Sequence, residues 1–292
     1  MSDILNISPL QGEKNNKIMK CLSLICFELG KACNLGQLHP KCPNLNLERF
    51  AKLDTSKELD DETIIECAIK AYKNYNFQGF IAWHYYNEPC LQKERMHSLM
   101  KKIKENVPES RFLLWTNGTK IKEVDLHDFD YIIISSYFGN DDEIQEALNK
   151  YQKIGYIWHN PTFDDRLESR NVEANLCPCI QILESFTLDA YGNHHPCCYD
   201  WQGELSVGNV FKAGFDELVA RSKKLTESLL HMTNDTHDKC LKCKHKNRVV
   251  MYDNKIGQEI AQRTGIQNFK SDCVPWTVVM WDDYSLPIKL SE

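Results

Sequence analysis

The sequence predicts an α/β fold of parallel strands joined by crossover helices, with a small cysteine-rich region after it. Two observations carry that expectation. Before residue 160, short apolar runs alternate with longer segments of helical period, the pattern of a parallel sheet with right-handed connections. Further on, four thiols are laid out as Cys179, seventeen residues, Cys197, forty-two residues, then Cys240-x-x-Cys243. A C-x-x-C pair puts two sulfurs on one tight turn, and a distant pair completes the four ligands that zinc or an iron–sulfur cluster takes.

Taken in order, residues 22–29 read as an apolar strand. Residues 61–75 follow an acidic start with Ile64, Ile65, Ala68 and Tyr72 at helical spacing. Cys67 shares the face of Ile64 and reads as core. Residues 79–83 form a second strand and 93–106 a helix; 111–115 form a third strand, closed by the turn-forming Thr116-Asn117-Gly118. A fourth strand is expected at 131–135, a helix at 142–151 and a fifth strand at 155–160. His194-His195 reads as the exposed tip of a hairpin, since Tyr191-Gly192-Asn193 is turn chemistry.

Open parallel sheets bind ligands outside the carboxyl ends of their strands. After the first strand come Cys33 and Cys42, and after the second Asn87-Glu88-Pro89. The third is followed by Thr116-Asn117 and the fourth by Ser135-Ser136. Polar and thiol side chains therefore gather on one rim. The ordinary readings are solvated turn residues for Glu88, Ser135 and Ser136, and core or cavity wall for the aromatic run Trp83-His-Tyr-Tyr86.

Composition narrows the function. With 292 residues the chain has room for one large or two modest domains. A net charge of −6 gives no basic footprint for nucleic acid or an anionic membrane, and no apolar run approaches the roughly 20 residues of a membrane span. The first residues carry no charged n-region followed by an apolar h-region, so no signal peptide is expected. Thirteen cysteines in a chain read as cytoplasmic point to metal or cluster ligation rather than disulfides.

At these residues the chain resembles radical S-adenosylmethionine (SAM) enzymes with a C-terminal auxiliary-cluster domain of the twitch or SPASM type. Phe27-Glu-Leu-Gly-Lys-Ala-Cys-Asn-Leu35 is similar to the family's first strand and cluster loop. Trp83-His-Tyr-Tyr-Asn-Glu-Pro89 stands at its Gly-Gly-Glu-Pro segment, and Leu113-Leu-Trp-Thr-Asn-Gly118 and Ile134-Ser-Ser136 at its third and fourth strand ends. Asp189-Ala-Tyr-Gly192, Cys197 and Gly208-Asn209 resemble the auxiliary domain. The resemblance implies a partial (β/α)6 TIM-like barrel over 21–170, a small α+β auxiliary-cluster domain over 171–250, an N-terminal extension over 1–20 and a tail over 251–292.

It also implies two 4Fe-4S clusters and SAM, with Asn87, Glu88, Thr116, Asn117, Ser135 and Ser136 as SAM contacts. Cys179, Cys197, Cys240 and Cys243 become the auxiliary ligands, with Cys177 and Cys198 as replacements. The SAM-binding cluster needs three thiolates and an open iron, and here the chain departs from the family. Its loop holds Cys33, eight residues, then Cys42, where the family packs C-x3-C-x2-C. Cys26 is the first choice for the third ligand, although a lone cysteine in an apolar strand is more often core. Cys90, His39 and Cys21 are the alternatives.

The chemistry implied is reductive cleavage of SAM to a 5′-deoxyadenosyl radical, which takes hydrogen from an unactivated carbon. Electrons are expected from a flavodoxin- or ferredoxin-type donor. The polar segment before the first strand leaves no room for a peptide-leader domain, which tilts the expected substrate toward a small natural-product intermediate such as an amino sugar. A ribosomal-peptide-modifying enzyme, a zinc-binding non-catalytic scaffold and an electron-transfer protein are the other readings. Cys273 reads first as core, then as a late ligand or hydrogen-atom donor. The tail with Trp276 and Trp281 reads as a cavity cover or plain packing.

Overall fold

A computed structural model describes residues 22, 24–36, 42–137, 141–150, 155–159, 185–231, 238–241 and 243. Cys21, His39, Cys177, Cys179, Cys273, Trp276 and Trp281 lie outside the described residues, as do residues 1–20 and the tail after 250.

The chain folds as β1 (Leu24–Phe27), α1 (Asp61–Tyr75), β2 (Phe80–Ala82), α2 (Lys93–Asn106), β3 (Phe112–Thr116), β4 (Tyr131–Ser135), α3 (Asp141–Asn149) and β5 (Gly155–His159). Then follow β6 (Ser185–Leu188), β7 (His194–His195), α4 (Val210–Ala213), α5 (Phe215–His231) and α6 (Asp238–Leu241). Helices α1 and α2 keep the bounds expected from periodicity. The Asp60 side chain opens α1 by accepting the Thr63 N–H at 2.8 Å. Asn76 closes it in the left-handed region at φ 53°, a conformation asparagine tolerates at helix ends.

Among the described residues the sheet order is β5-β4-β3-β2-β1-β6-β7. Neighbours from β5 through β6 pair in parallel, and β7 pairs antiparallel with β6. The parallel α/β expectation holds. A simple succession of barrel strands would seat the sixth beside the fifth, but β6 pairs with β1 over Leu24↔Ser185 to Phe27↔Leu188. The first strand of the cysteine-rich region thus extends the main sheet and makes β1 a central strand, buried at every position.

Alternation divides the sheet into two faces. Ile25, Phe27, Ile81, Trp83, Phe112, Leu114, Ile132, Ile134, Phe186 and Leu188 pack in one core with the buried residues of α1, α2 and α5. Leu24, Cys26, Ala82, Leu113 and Ile133 take the intervening strand positions and face the other way; all are buried. Cys26 therefore does not share the helix-packed core.

His194 and His195 are not an exposed tip. Both are buried, because the tight turn before them returns the chain into the sheet as β7 instead of projecting it into water. Gly192 makes the turn at φ 78°, and a Cβ there would stand 2.8 Å from Val210 Cγ1, so the position requires glycine. The His194 ring lies on Phe186 at 4.5 Å. Burial drives its pKa down to about 3, so it packs as a neutral imidazole.

Candidate functional site

Glu88 is the centre of the expected rim, and it is buried. Its Oε1 accepts the Cys90 N–H at 3.0 Å and the Thr116 hydroxyl at 2.7 Å, and its Oε2 accepts the Asn117 N–H at 2.8 Å. One carboxylate thus binds the end of β2 to the end of β3. Burial raises its pKa, opposed by these hydrogen bonds. The Glu88 N–H donates to Ala32 O at 2.9 Å, which fastens the loop after β1 to the same rim. Asn117 adds a second tie, donating to Asn34 Oδ1 at 3.0 Å.

Asn87 turns its own loop, accepting the Tyr85 N–H at 3.0 Å and donating to Trp83 O at 3.1 Å. Ser135 Oγ accepts the Trp115 indole N–H at 3.0 Å, and the His84 ring lies 4.7 Å from that of Trp115. Ser136 is buried beside the end of β4. Glu88, Thr116 and Asn117 are joined directly; Asn87 acts on the Tyr85 turn and Ser135 on Trp115.

A second buried carboxylate was not foreseen. Glu28, just past β1, forms an ion pair with Arg49 at 2.5 Å, and both side chains are at most 1% exposed. Burial is the largest single effect on the Arg49 pKa and lowers it, but the charge and hydrogen bond of Glu28, with Tyr85 and Tyr86, together outweigh it and the net shift is upward. Glu28 also accepts the Tyr86 N–H and the Ala190 N–H, each at 3.1 Å. It therefore joins the loop after β1, the loop after β2 and the turn after β6. Above it the Arg49 guanidinium lies 4.6 Å from the Tyr86 ring centroid and 5.4 Å from that of Tyr85. The available sequence signal was a glutamate at the carboxyl end of the first strand, inside the very segment that resembles the cluster loop.

Those tyrosines connect the two cysteine regions. The Tyr85 hydroxyl donates to Cys197 O at 3.3 Å, and the Tyr86 hydroxyl donates to Cys198 O. Tyr85, Tyr86 and Trp201 form one buried cluster, with Cys42 and Cys198 packed against it. The Trp83–Tyr86 segment thus does two jobs: Trp83 fills the helix-packed core, and Tyr85 and Tyr86 hold the Cys197-Cys198 hairpin.

The described thiols fall into two classes. Cys33, Cys42, Cys197, Cys198, Cys240 and Cys243 are half-buried, whereas Cys26, Cys67 and Cys90 are buried. The Cys33 thiol is pushed up to about 11, chiefly by burial, with Glu88 and Cys42 adding to the shift and backbone bonds at Leu35 and Gly36 opposing it. A metal there would have to displace the proton. Cys90 donates to the Thr116 hydroxyl at 3.2 Å, and Cys26 lies level with Ala82 and Thr187 in the sheet. Among the described residues no group of three or more His, Cys, Asp or Glu side chains is drawn together as a metal site. The donor chemistry suits iron or zinc, and Cys243 N–H donates to Cys240 O at 3.4 Å, closing the C-x-x-C turn.

Comparisons with known proteins bear on both regions. An iron–sulfur cluster-binding domain model, SPASM, matches residues 177–244. The S-adenosyl-L-methionine-dependent 2-deoxy-scyllo-inosamine dehydrogenase of Niallia circulans is 22% identical, over 79% of this chain and 94% of that protein. Among solved structures, BtrN in complex with AdoMet and 2-DOIA aligns at 21% identity with a TM-score of 0.58, covering 76% of this chain and 93% of that one. BtrN in an open conformation aligns at 20% identity and 0.51, covering 76% and 92%. At such identities the solved structures establish the fold. In both its sheet and its cysteine-rich region, the chain resembles radical SAM enzymes that carry a SPASM-type auxiliary-cluster domain.

Proposed function

We propose that this protein is a radical SAM oxidoreductase that removes hydrogen from a small, hydroxylated, natural-product-type substrate. The observation that carries the reading is the continuous rim. Glu88, Thr116 and Asn117 bond directly to one another and to the loop that bears Cys33. That rim continues through Tyr85 and Tyr86 to the Cys197-Cys198 hairpin. The match to an iron–sulfur domain over 177–244 supports it, as does the likeness to a dehydrogenase named for the aminocyclitol 2-deoxy-scyllo-inosamine.

When bound, a reduced cluster and SAM supply a carbon radical able to abstract hydrogen from an unactivated position. Cys33 and Cys42 would hold that cluster, with Cys26 as third ligand and Cys90, His39 or Cys21 in its place if Cys26 stays in the sheet. Cys179, Cys197, Cys240 and Cys243 would hold the auxiliary cluster, with Cys177 or Cys198 as replacements. A carboxylate offers about four acceptor positions, and three protein donors occupy Glu88. The remaining acceptor capacity of Glu88 would hold the SAM amino group. Asn87 shapes that loop, Thr116 and Asn117 line the same contact, and Ser135 and Ser136 would serve the ribose. A flavodoxin- or ferredoxin-type protein supplies electrons.

Anaerobic reconstitution with iron and sulfide tests the reading. About eight irons per chain are expected for two 4Fe-4S clusters, and reduction in the presence of SAM should release 5′-deoxyadenosine. A protein with a spectroscopically confirmed SAM-binding cluster that releases none would sink the proposal. Cys26→Ala should lose about half of that iron; if only Cys90→Ala does, the third ligand is reassigned. A second reading is a zinc-binding scaffold, because a C-x-x-C pair with two further thiols suits tetrahedral zinc as well as an iron–sulfur cluster. Zinc bound with no iron uptake would select it.

A further inference from the structure

Lys239 is 7% exposed, although its neighbours Asp238 and Cys240 are exposed and half-buried. Lysine is seldom so buried unless it is paired. Its Nζ lies 2.9 Å from Asp200 Oδ1 and 3.7 Å from Glu204 Oε2. Asp200 is itself fixed. Its two carboxylate oxygens accept the Glu204 and Leu205 N–H groups at 3.0 Å, and its own N–H donates to Cys197 O at 3.0 Å. His195 lies behind it, with Nδ1 2.9 Å from Asp200 O and Nε2 3.1 Å from Asp189 Oδ2.

The ion pair therefore links two cysteine-bearing segments far apart in the chain. On one side is α6, a helix of four residues that contains Cys240 and leads into Cys243. On the other is the hairpin of Cys197 and Cys198. A helix of one turn is too short to hold itself in water, so its place depends on tertiary contacts, and Lys239 supplies a buried, charged one.

We propose that Lys239 is a positioning residue: through Asp200 it clamps the Cys240-x-x-Cys243 turn against the Cys197-Cys198 hairpin before any metal binds. The two cysteine-bearing segments would then be held side by side in advance, and a metal would only have to draw the thiols themselves together, since among the described residues no three of them are gathered yet. The positioning claim stands on the ion pair; only the metal measurement below rests on reading these cysteines as ligands.

The test uses metal-free, full-length protein and the rate at which N-ethylmaleimide labels Cys240 and Cys243, followed by peptide mass spectrometry. Lys239→Met should speed labelling at both cysteines by about tenfold or more, since breaking a buried pair leaves its partner uncompensated. Labelling of Cys33 and Cys42 should not change. Lys239→Arg should stay close to wild type. If Lys239→Met fails to fold, Asp200→Asn with Lys239→Met removes both charges and leaves neither unpaired; labelling should again accelerate. Wild-type labelling rates in either folded variant overturn the proposal. Cobalt(II) titration, read at the thiolate-to-cobalt charge-transfer band, should show about tenfold weaker binding for Lys239→Met, a loss of the size seen when groups supporting metal ligands are removed. Wild-type protein that binds no cobalt would defeat the metal reading while the labelling result still judges the clamp. Cobalt binding with unchanged labelling would do the reverse.

Discussion

The rim at the carboxyl ends of the strands and the hairpin that follows β6 are organised by buried carboxylates, but the partners differ. Glu88 is satisfied by neutral donors, two backbone N–H groups and one hydroxyl, and its pKa rises. In the hairpin region, Asp200 faces the Lys239 ammonium. Asp189 has its pKa lowered, because hydrogen bonding and charge from His195 together outweigh burial. Neutral donors leave a carboxylate able to accept one more cationic group, whereas an ion pair is already balanced. The first arrangement suits a binding site and the second suits a strut. Glu28 with Arg49 belongs to the second kind, yet it sits under the first region.

The largest effect is expected where that rule is broken at the junction. Arg49→Met leaves Glu28 buried without its cation and should cost about 3–5 kcal/mol, measured by urea unfolding of the metal-free protein. A cost below about 1 kcal/mol, the range of exposed pairs, would show that Glu28 takes its support from the Tyr86 and Ala190 N–H groups alone.

Glu88→Gln gives a smaller change. The amide keeps the shape but turns one acceptor into a donor, facing either the Asn117 N–H or the Thr116 and Cys90 donors. A loss of about 1–3 kcal/mol follows from one orphaned buried donor. In the same variant, SAM binding by equilibrium dialysis should weaken further than stability does. If only stability falls, Glu88 belongs with the struts and the contrast between the regions disappears.

The smallest effect is expected at the tyrosines that connect them. Tyr86→Phe removes the donor to Cys198 O and should cost about 1 kcal/mol. Faster N-ethylmaleimide labelling of Cys198, with Cys240 unchanged, would separate this contact from the Lys239 clamp. Equal acceleration at both cysteines would mean that the hairpin and α6 open as one unit.

Much of the architecture was readable without coordinates because its causes are local. The bounds of α1 and α2 follow from acidic starts and helical spacing over a few turns, and β4 from a run of three isoleucines after Tyr131. The carboxyl-end residues Glu88, Thr116 and Asn117 were found because strand polarity in a parallel sheet fixes which loops share a rim. Burial is less local. Tyr191-Gly192-Asn193 is a turn by its residues and in the fold, but no turn signal says that the chain beyond it is covered, and His194 and His195 are buried.

What the sequence by itself determined is the strands and helices before residue 160, their order and the shared rim, carried by short-range pattern, and a cysteine spacing that suits zinc or an iron–sulfur cluster. Tertiary structure alone decided which distant elements meet. It seated β6 beside β1, turned Cys26 to the face away from the helices, and brought Glu28 to Arg49 and Asp200 to Lys239. The physical reason is that a buried charge is tolerable only where an opposite charge or donor arrives with it. A hydrophobic period says that a position is buried but not what stands opposite it. Only the folded packing of segments far apart in the chain supplies the partner.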